Sequence, residues 1–283
     1  MARVFLSPHI LEAGLSGEEF DLPADVAKKL TRVLRLTTGE LFVAFDGMGR
    51  EFDCVLTTIG AKSESEIDPE SGAELPRRKG RDKGARASVM GARATAAPGL
   101  LHLSVAQAIP KGEKMELVLQ KGTELGVAEF WPFEADRSVS RVSYEEDPER
   151  AASRSERWRR IAEAAASQCG RADVPIVHSV ADLTTVVDYG TGGEGGRCFM
   201  LDERPEAEPL RAALERESLE TGGDAPTRVM LLIGPEGGWT EREREWCDRY
   251  GVEAVNLGRR VLRTETAALI AAAILQWEVG ELG

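Results

Sequence analysis

The alternation of apolar strands with helices beyond residue 100 most constrains how this chain can fold. Segment 229–233 reads VMLLI and is almost continuously apolar, as a central strand of a parallel sheet should be. It runs through Gly-Pro-Glu-Gly-Gly into a polar helix at 240–251. Apolar segments followed by helical ones recur from 101 to 275. This spacing predicts an α/β fold, with a mostly parallel sheet covered by helices on both faces.

The first 98 residues differ from this pattern. Segments 41–47 and 50–59 are typical of two strands joined by a glycine-containing turn. The stretch 23–36 is typical of a short helix with four apolar residues on one face, namely Val26, Leu30, Val33 and Leu34. These features predict a small, β-rich domain.

Residues 62–98 contain almost no large apolar side chains. Such a segment cannot bury enough surface to offset the entropy of ordering it, so we expect a flexible link. Its core at 77–86 (RRKGRDKGAR) has six basic residues against one acid, typical either of a solvated insertion or of an RNA-contacting arm. The sequence thus predicts a β-rich domain at 1–61, a link at 62–98 and the α/β domain at 99–283.

Charge, cysteine usage and hydropathy limit the class of protein. The net charge of −12 by itself argues against a nucleic-acid partner, although it does not exclude a local basic face. The four cysteines form no CxxC pair, so we expect no disulfide framework, no metal site and a reducing, cytoplasmic location. The longest apolar run, 267–275, is too short to span a bilayer, so we expect no membrane partner.

The glycine-rich loop at 234–238 follows the apolar strand directly. Ligands of parallel sheets bind beyond the carboxyl ends of the strands, and glycine lets the backbone approach a ligand closely. Thr240 and Glu243 have the spacing of a capping box, which marks the start of the next helix. The loop therefore suits a flat, polar ligand held by backbone groups, and a simple tight turn is the alternative interpretation.

A second strand, 252–258, also ends in glycine. The basic residues Arg259, Arg260 and Arg263 follow it, and then comes a helix that Thr264 could cap, with Glu265 in its first turn. That helix is apolar all round from 267 to 275, so it should be buried within the fold or in a subunit interface. The two glycine-ended loops predict a cofactor pocket beside an anionic substrate.

Several motifs in order resemble the RsmE family, the SPOUT-class methyltransferases that act on N3 of a uridine (position 1498 in the usual numbering) of 16S ribosomal RNA. They are LTRVLRLTTGELFVAFDGMGREF (30–52), KGEKMELVLQKGTELGVAEFWPFEADRSV (111–139), WRRIAEAAASQCGRADVPIV (158–177), LLIGPEGGWTEREREW (231–246) and NLGRRVLRTETAALIAAAIL (256–275). The resemblance implies a PUA-like RNA-binding domain, a trefoil-knotted α/β domain, a homodimer and S-adenosylmethionine as cofactor. The implied partner is 16S ribosomal RNA within the small ribosomal subunit.

The resemblance also implies site residues. The cofactor would be held, largely by backbone, at Leu201, Ile233, Gly234, Pro235, Glu236, Gly237, Gly238, Leu257, Gly258, Arg260, Val261 and Leu262. Arg263 and Arg260 are candidates for stabilising charge on the uracil or for contacting phosphate. Glu236 and Glu265 are candidate proton acceptors, with a loop-pinning or helix-capping role as the alternative.

Candidate RNA contacts are weaker predictions. They are Arg32, Arg35, Lys121, Arg137 and Arg171. An ion pair with Glu124 is the alternative for Lys121, and a solvated loop for Arg137. The histidines (His9, His102 and His178) lie in no motif and are expected to be isolated residues.

Two other functions remain open from the sequence. One is an RNA-binding assembly factor without catalytic activity, which would not bind S-adenosylmethionine. The other is a SPOUT methyltransferase acting on a different RNA, which identification of the methylated nucleoside would reveal.

Overall fold

The computed structural model describes residues 1–61, 84–93, 99–138, 148–192, 196–219 and 226–282. The chain divides into two compact units. The first comprises Met1–Ala96 with Gly170–Asp173, and the second Ala97–Cys169 with Val174–Gly283.

The described part of the first unit holds a five-stranded sheet of order β1-β3-β4-β5-β2. Its elements are β1 (Ala2–Phe5), α1 (Pro8–Leu15), β2 (Phe20–Asp21), α2 (Ala24–Lys28), a π-helix (Lys29–Val33), β3 (Leu41–Phe45), β4 (Glu51–Ala61) and β5 (Gly84–Ala92). Strands β3 and β4 pair antiparallel, as the two predicted strands require. The core of this unit is formed by side chains of the sheet and of α1 and α2.

Strand β5 contradicts the prediction that all of 62–98 is a flexible link. It pairs antiparallel with β4 and with β2. Its inward positions are held by Ala85 and Ala87, both buried. Small side chains fill a narrow space in this sheet, so the lack of large apolar residues was misleading. Residues 62–83 and 94–98, which include most of the basic core, lie outside the described residues.

The predicted helix over 23–36 is also only partly right. Helix α2 ends at Lys28, and the following turns are π-helical, with the Leu34 N–H donating to the Lys29 carbonyl at 2.9 Å. This wider turn changes the angular spacing of the side chains. Leu30 is fully buried, whereas Val33 and Leu34 are exposed, so the prediction of one shared apolar face is wrong.

The second unit contains the mostly parallel sheet that the sequence predicts. Its elements are β6 (Leu101–Ala108), α3 (Lys114–Glu124), β7 (Glu129–Glu134), α4 (Pro148–Cys169), β8 (Ile176–Val177), β9 (Ala181–Asp182), α5 (Leu183–Thr191), β10 (Arg197–Leu201), β11 (Glu208–Pro209), α6 (Leu210–Arg216), β12 (Thr227–Ile233), α7 (Glu241–Arg249), β13 (Glu253–Asn256) and α8 (Thr264–Glu278). Among the described residues the order is β11-β13-β10-β12-β6-β7-β8, β9 also pairs with β7, and every pairing is parallel.

Helices cover both faces of this sheet, which confirms the predicted layering. One core packs α3, α4, α6 and α8 against the sheet and includes Leu119, Trp158 and Leu275. The other packs α5 and α7 against the opposite face and includes Val187 and Cys247. Within the described ranges, no helix is long and apolar enough to cross a membrane.

Helix α8 is buried on one side within the single chain. Ala268, Ala271 and Leu275 are buried against the core, whereas Ile270 is 44% and Trp277 66% exposed. The helix is therefore not buried on all sides within one chain, contrary to the first of the two predicted environments.

Candidate functional site

The loops after β10, β12 and β13 meet at one edge of the sheet. Leu201, the last residue of β10, is in register with Ile233 of β12 and with Val255 of β13. Because the strands are parallel, their carboxyl ends share this edge. The structure therefore brings the predicted cofactor residues of all three loops to one place, where ligands of such sheets bind.

Trp239 anchors the loop that follows β12. Its side chain is buried and stacks on Phe133, with 6.0 Å between ring centroids. Its indole N–H donates to the carbonyl of Leu201 at 2.8 Å, which ties this loop to the end of β10. A Cβ at Gly234 would lie 2.9 Å from the indole ring, so only glycine fits there. The first glycine of the motif thus serves close packing.

Arg137 holds the same loop from the end of β7. Its Nη1 donates to the carbonyls of Gly237 at 3.0 Å and Trp239 at 3.2 Å. The sequence suggested either an RNA contact or a solvated loop residue. The structure gives Arg137 a loop contact that neither interpretation included.

Glu236 is pinned by the start of α3. Its Oε1 accepts from the backbone N–H of Lys111 at 3.1 Å and from the Lys114 ammonium at 2.9 Å. Burial alone would raise the pKa of Glu236, but these hydrogen bonds outweigh burial and lower the pKa. A carboxylate with a lowered pKa is a weak proton acceptor, which favours the loop-pinning alternative.

Lys114 also reaches the start of α8. Its Nζ lies 3.6 Å from Oε2 of Glu265, which is buried. The ion pairs with Glu236 and Glu265 raise the pKa of Lys114, mainly through the hydrogen bond to Glu236, so the side chain stays charged. Sequence reasoning missed Lys114, although it stands within the KGEK stretch that resembles the family.

Thr264 has a different role from the predicted helix cap. The N-cap of α8 is Arg263, and no side chain caps this helix. Thr264 is the first helical residue, and its hydroxyl donates to the carbonyl of Gly234 at 2.7 Å. The other predicted cap is confirmed, because Thr240 and Glu243 form a complete capping box at α7.

The loop after β13 is open by comparison. Val261 is 77% exposed, and a Cβ at Gly258 would meet nothing within 4 Å. Across the described ranges, the backbone of residues 259–262 makes no hydrogen bond, and Arg260 and Arg263 have no ion pair. Among the described residues, the loop thus presents unused backbone groups and three cations without ion pairs, since Arg259 has none either, next to the pinned loop at 234–238.

Asp202 fixes the third loop, directly after Leu201. It is buried and accepts from Nε of Arg244 at 2.8 Å and Nε of Arg204 at 2.9 Å. Burial raises the pKa of Asp202, and the two arginines more than offset this and lower the pKa. The end of β10 is therefore held as firmly as the loop after β12.

The remaining RNA candidates belong to other elements of the two units. Lys121 donates to Glu124 at 2.8 Å, the expected helical ion pair. Arg171 pairs with Asp173 in the first unit, where its carbonyl accepts from Arg3. Arg32 lies in the π-helix and Arg35 just after it, in a left-handed conformation with φ 58°, and both side chains are exposed.

Two of the histidines are not isolated, contrary to the prediction. His102 lies 3.0 Å from Glu129, and His178 lies 3.4 Å from the other oxygen of the same carboxylate. Trp131 and Tyr189 also donate to it, and these contacts overcome burial to lower its pKa. This cluster lies at the amino ends of β6 and β7, opposite the loops. The described residues contain no group of side chains that could hold a metal ion.

Comparison with known proteins agrees with this geometry. Residues 98–276 match the family model of the RNA methyltransferase domain, and residues 24–65 match that of the RNA methyltransferase PUA domain. The fold and the site thus define an RNA methyltransferase with an N-terminal PUA domain.

Individual relatives show which family of RNA methyltransferases the chain resembles. Ribosomal RNA small subunit methyltransferase E of Bacillus subtilis is 28% identical, over 92% of this chain and 90% of the relative. The protein of the same name from Mycobacterium bovis is 31% identical, over 84% and 79%. The crystal structure of the Neisseria gonorrhoeae protein of that name, bound to S-adenosyl methionine, has a TM-score of 0.74 at 27% identity and covers 98% of this chain and 97% of that one. The chain belongs to the ribosomal RNA small subunit methyltransferase E family, which confirms the resemblance to RsmE.

Proposed function

We propose that this protein transfers a methyl group from S-adenosylmethionine to N3 of a specific uridine of 16S ribosomal RNA in the small ribosomal subunit. The observation that carries the proposal is the meeting of three loops at the carboxyl edge of the parallel sheet, in a chain of this family. Relatives named for the ribosomal small subunit and a neighbour bound to the cofactor support it.

The residues at this edge fit the proposed cofactor. The open space at Gly258 and the backbone groups at 259–262, which have no partner in the described part of the chain, offer donors and acceptors to a flat, polar ligand. The pinned loop 234–238 supplies a fixed opposing wall. S-adenosylmethionine, when bound, supplies an activated methyl group on a sulfonium. The full set that would hold it is Leu201, Ile233, Gly234, Pro235, Glu236, Gly237, Gly238, Leu257, Gly258, Arg260, Val261 and Leu262.

The acceptor nitrogen needs help from the protein. A neutral imide N–H is a poor nucleophile and must lose its proton around the time of attack. Of the two candidate carboxylates, Glu236 is committed to Lys111 and Lys114. We therefore favour Glu265 as the proton acceptor. Arg263 stabilises the charge that develops on the uracil oxygens, and Arg260 assists or contacts phosphate.

We also propose a homodimer and a knotted chain path. The exposed strip of α8, with Ile270 and Trp277, is suited to burial against a second copy. The resemblance to the family supports the trefoil knot. The proposed substrate locates the protein in the cytoplasm.

The test is transfer of labelled methyl from S-adenosylmethionine to small ribosomal subunits that lack the modification, followed by nucleoside analysis. Label in 3-methyluridine supports the proposal. Label in another nucleoside or RNA would indicate a different substrate. Absence of both transfer and cofactor binding would favour an RNA-binding assembly factor without catalytic activity.

A further inference from the structure

Gln107 is a fully buried polar residue at the carboxyl end of β6, in register with Ile233 of β12. Its Nε2 donates to the carbonyl of Ala108 at 2.9 Å and to the hydroxyl of Thr264 at 2.9 Å. A side-chain amide nitrogen carries two hydrogens, so these two bonds use both. The orientation of the amide is therefore fixed by its surroundings.

The contact with Gln107 sets the direction of the Thr264 hydroxyl. A hydroxyl has one hydrogen to donate, and since Thr264 accepts from Gln107, its own hydrogen is directed to the carbonyl of Gly234 at 2.7 Å. A directional chain of two hydrogen bonds thus connects β6, the first residue of α8 and the loop after β12. Arg263 and Glu265 flank Thr264 in sequence.

The Gln107 amide carries a cost in stability. Its Oε1 is buried and has no hydrogen-bond donor among the described residues. Leaving a buried acceptor unsatisfied costs about 1–3 kcal/mol. A methionine of similar length would avoid this cost. A buried amide oxygen left without a partner at the edge of a candidate site calls for an explanation, and a role in function provides one.

We propose that Gln107 is a positioning residue for methyl transfer. Through Thr264 it fixes the start of α8, and with it Arg263 and Glu265, against the loop at Gly234. The inference rests on the proposed function. Because Gln107 is buried, it acts on the reaction only through Thr264. Small displacements of reacting groups cost large factors in rate, so the loss should fall on turnover.

The experiment compares Gln107→Met, Thr264→Val, Thr264→Ser and the Gln107→Met/Thr264→Val double variant. Methyl transfer, cofactor affinity by calorimetry and melting temperature are measured for each. We expect each single variant except Thr264→Ser to lower kcat about tenfold, with KM changed less. The serine variant keeps the hydroxyl and should stay within about twofold of wild type. The double variant should lose no more than either single one, because both break the same chain.

Melting temperature separates positioning from folding. Gln107→Met removes an unsatisfied acceptor but also the donor to the Ala108 carbonyl. These two effects oppose each other, so the melting temperature should stay close to that of wild type while turnover falls. Thr191→Val is the matched control, because the Thr191 hydroxyl donates only within α5, to the Val187 carbonyl at 2.8 Å. It should leave kcat unchanged.

Several results would overturn the inference. They are wild-type turnover in Gln107→Met, losses that add in the double variant, and a serine variant as slow as the valine one. If Gln107→Met fails to fold, Gln107 serves folding and the inference about this residue fails. Comparison of Thr264→Val with Thr264→Ser then shows whether the hydroxyl of Thr264 matters by itself. Wild-type protein that neither binds S-adenosylmethionine nor transfers methyl would instead remove the proposed function itself.

Discussion

Two loops at the same sheet edge are held in opposite ways. The loop from Gly234 to Trp239 is fixed by side chains of Arg137, Lys114 and Thr264, and by its own buried indole. In the loop at 257–262, residues 258–261 are exposed, and Leu257 and Leu262 are half-buried. The described residues offer the backbone of this loop almost no partner beyond the Asn256 side chain, which accepts from the Gly258 N–H. The first loop, the pinned loop, has its contacts supplied by the protein itself. The second, the open loop, keeps backbone groups that a ligand can bind.

The difference shows that a glycine-containing loop after a strand can serve either close packing or ligand binding. Both loops follow an apolar strand and contain glycine, but Gly234 is glycine because an indole lies against it, whereas Gly258 adopts φ +104° beside open space. A preformed wall lowers the entropy lost on binding, and an open loop supplies unpaired groups for recognition. The comparison predicts that substitutions in the open loop change the reaction, whereas those in the pinned loop also change stability.

The largest expected effect is that of Arg263→Ala, at the end of the open loop. Arg263 has no ion pair among the described residues, so its removal should leave the melting temperature unchanged. Loss of a cation that stabilises developing charge lowers turnover by about 10²–10³-fold. Methyl transfer to small subunits and thermal unfolding measure the two effects. Arg211→Ala, in which an exposed arginine of α6 loses only Glu215, is the control. Near-normal turnover of Arg263→Ala would remove this residue from the mechanism.

Trp239→Phe tests the pinned loop with the next largest effect. The substitution keeps an aromatic ring and removes the indole N–H that donates to Leu201. The buried carbonyl then loses its donor, which should cost about 1–3 kcal/mol of stability and weaken cofactor binding several-fold. Calorimetry and denaturant unfolding measure both quantities.

Trp246→Phe is the matched control for this prediction. The indole N–H of Trp246 is buried and has no acceptor in the described part of the chain. Its removal should therefore cost no hydrogen bond. Equal losses of stability in the two variants would contradict the role given to the Trp239 N–H.

The sheet and the site edge were predictable because they follow from local patterns. Strand β12 is apolar on both faces and the helix after it has a complete capping box, so its loop could be placed at the carboxyl edge from sequence alone. Strand β5 escaped prediction because alanines fill its buried positions, and alanine gives no hydropathy signal. The π-helix escaped because the apolar residues of 23–36 fit the spacing of an ordinary α-helix, and a local change of pitch leaves no mark in that pattern.

The contacts that hold the site depend on long-range packing, which periodicity does not report. Gln107 and Thr264 are 157 residues apart, and Lys114 and Glu236 are 122 apart. A polar residue inside the apolar segment 101–109 was the available signal for Gln107. The same limit applied to His102 and His178, which both reach Glu129 only because β6, β7 and β8 are neighbours in the sheet.

A pair of glycine substitutions gives smaller effects and sharpens the comparison. Gly234→Ala places a methyl group against the buried Trp239 ring, and such overpacking costs about 1–3 kcal/mol. Gly258→Ala meets no atom of the described residues within 4 Å, so only its positive φ opposes it, at about 1–2 kcal/mol. The methyl group added at position 258 fills space that we assign to the cofactor. Gly258→Ala should therefore lose more cofactor affinity and less stability than Gly234→Ala, and the reverse order in calorimetry would refute the assignment.

The smallest expected effect is a pH dependence of stability that arises from Glu236 in the pinned loop. The pKa of Glu236 is lowered from its ordinary value of 4.5, because the bonds from Lys114 and Lys111 outweigh burial. A carboxylate whose folded pKa is lowered stabilises the fold above its unfolded pKa, and this contribution disappears as the pH falls through the folded value.

Since the pair with Lys114 is partly exposed, the contribution of Glu236 to stability should stay within about 1 kcal/mol. Glu236→Gln should thus be slightly less stable than wild type at pH 7, and the difference should narrow as the pH falls below 4.5 in denaturant unfolding. Glu215→Gln, which alters only an exposed pair in α6, should show a smaller difference at pH 7. A constant gap between Glu236→Gln and wild type across this range would mean that the Glu236 carboxylate does not pin the loop through its charge.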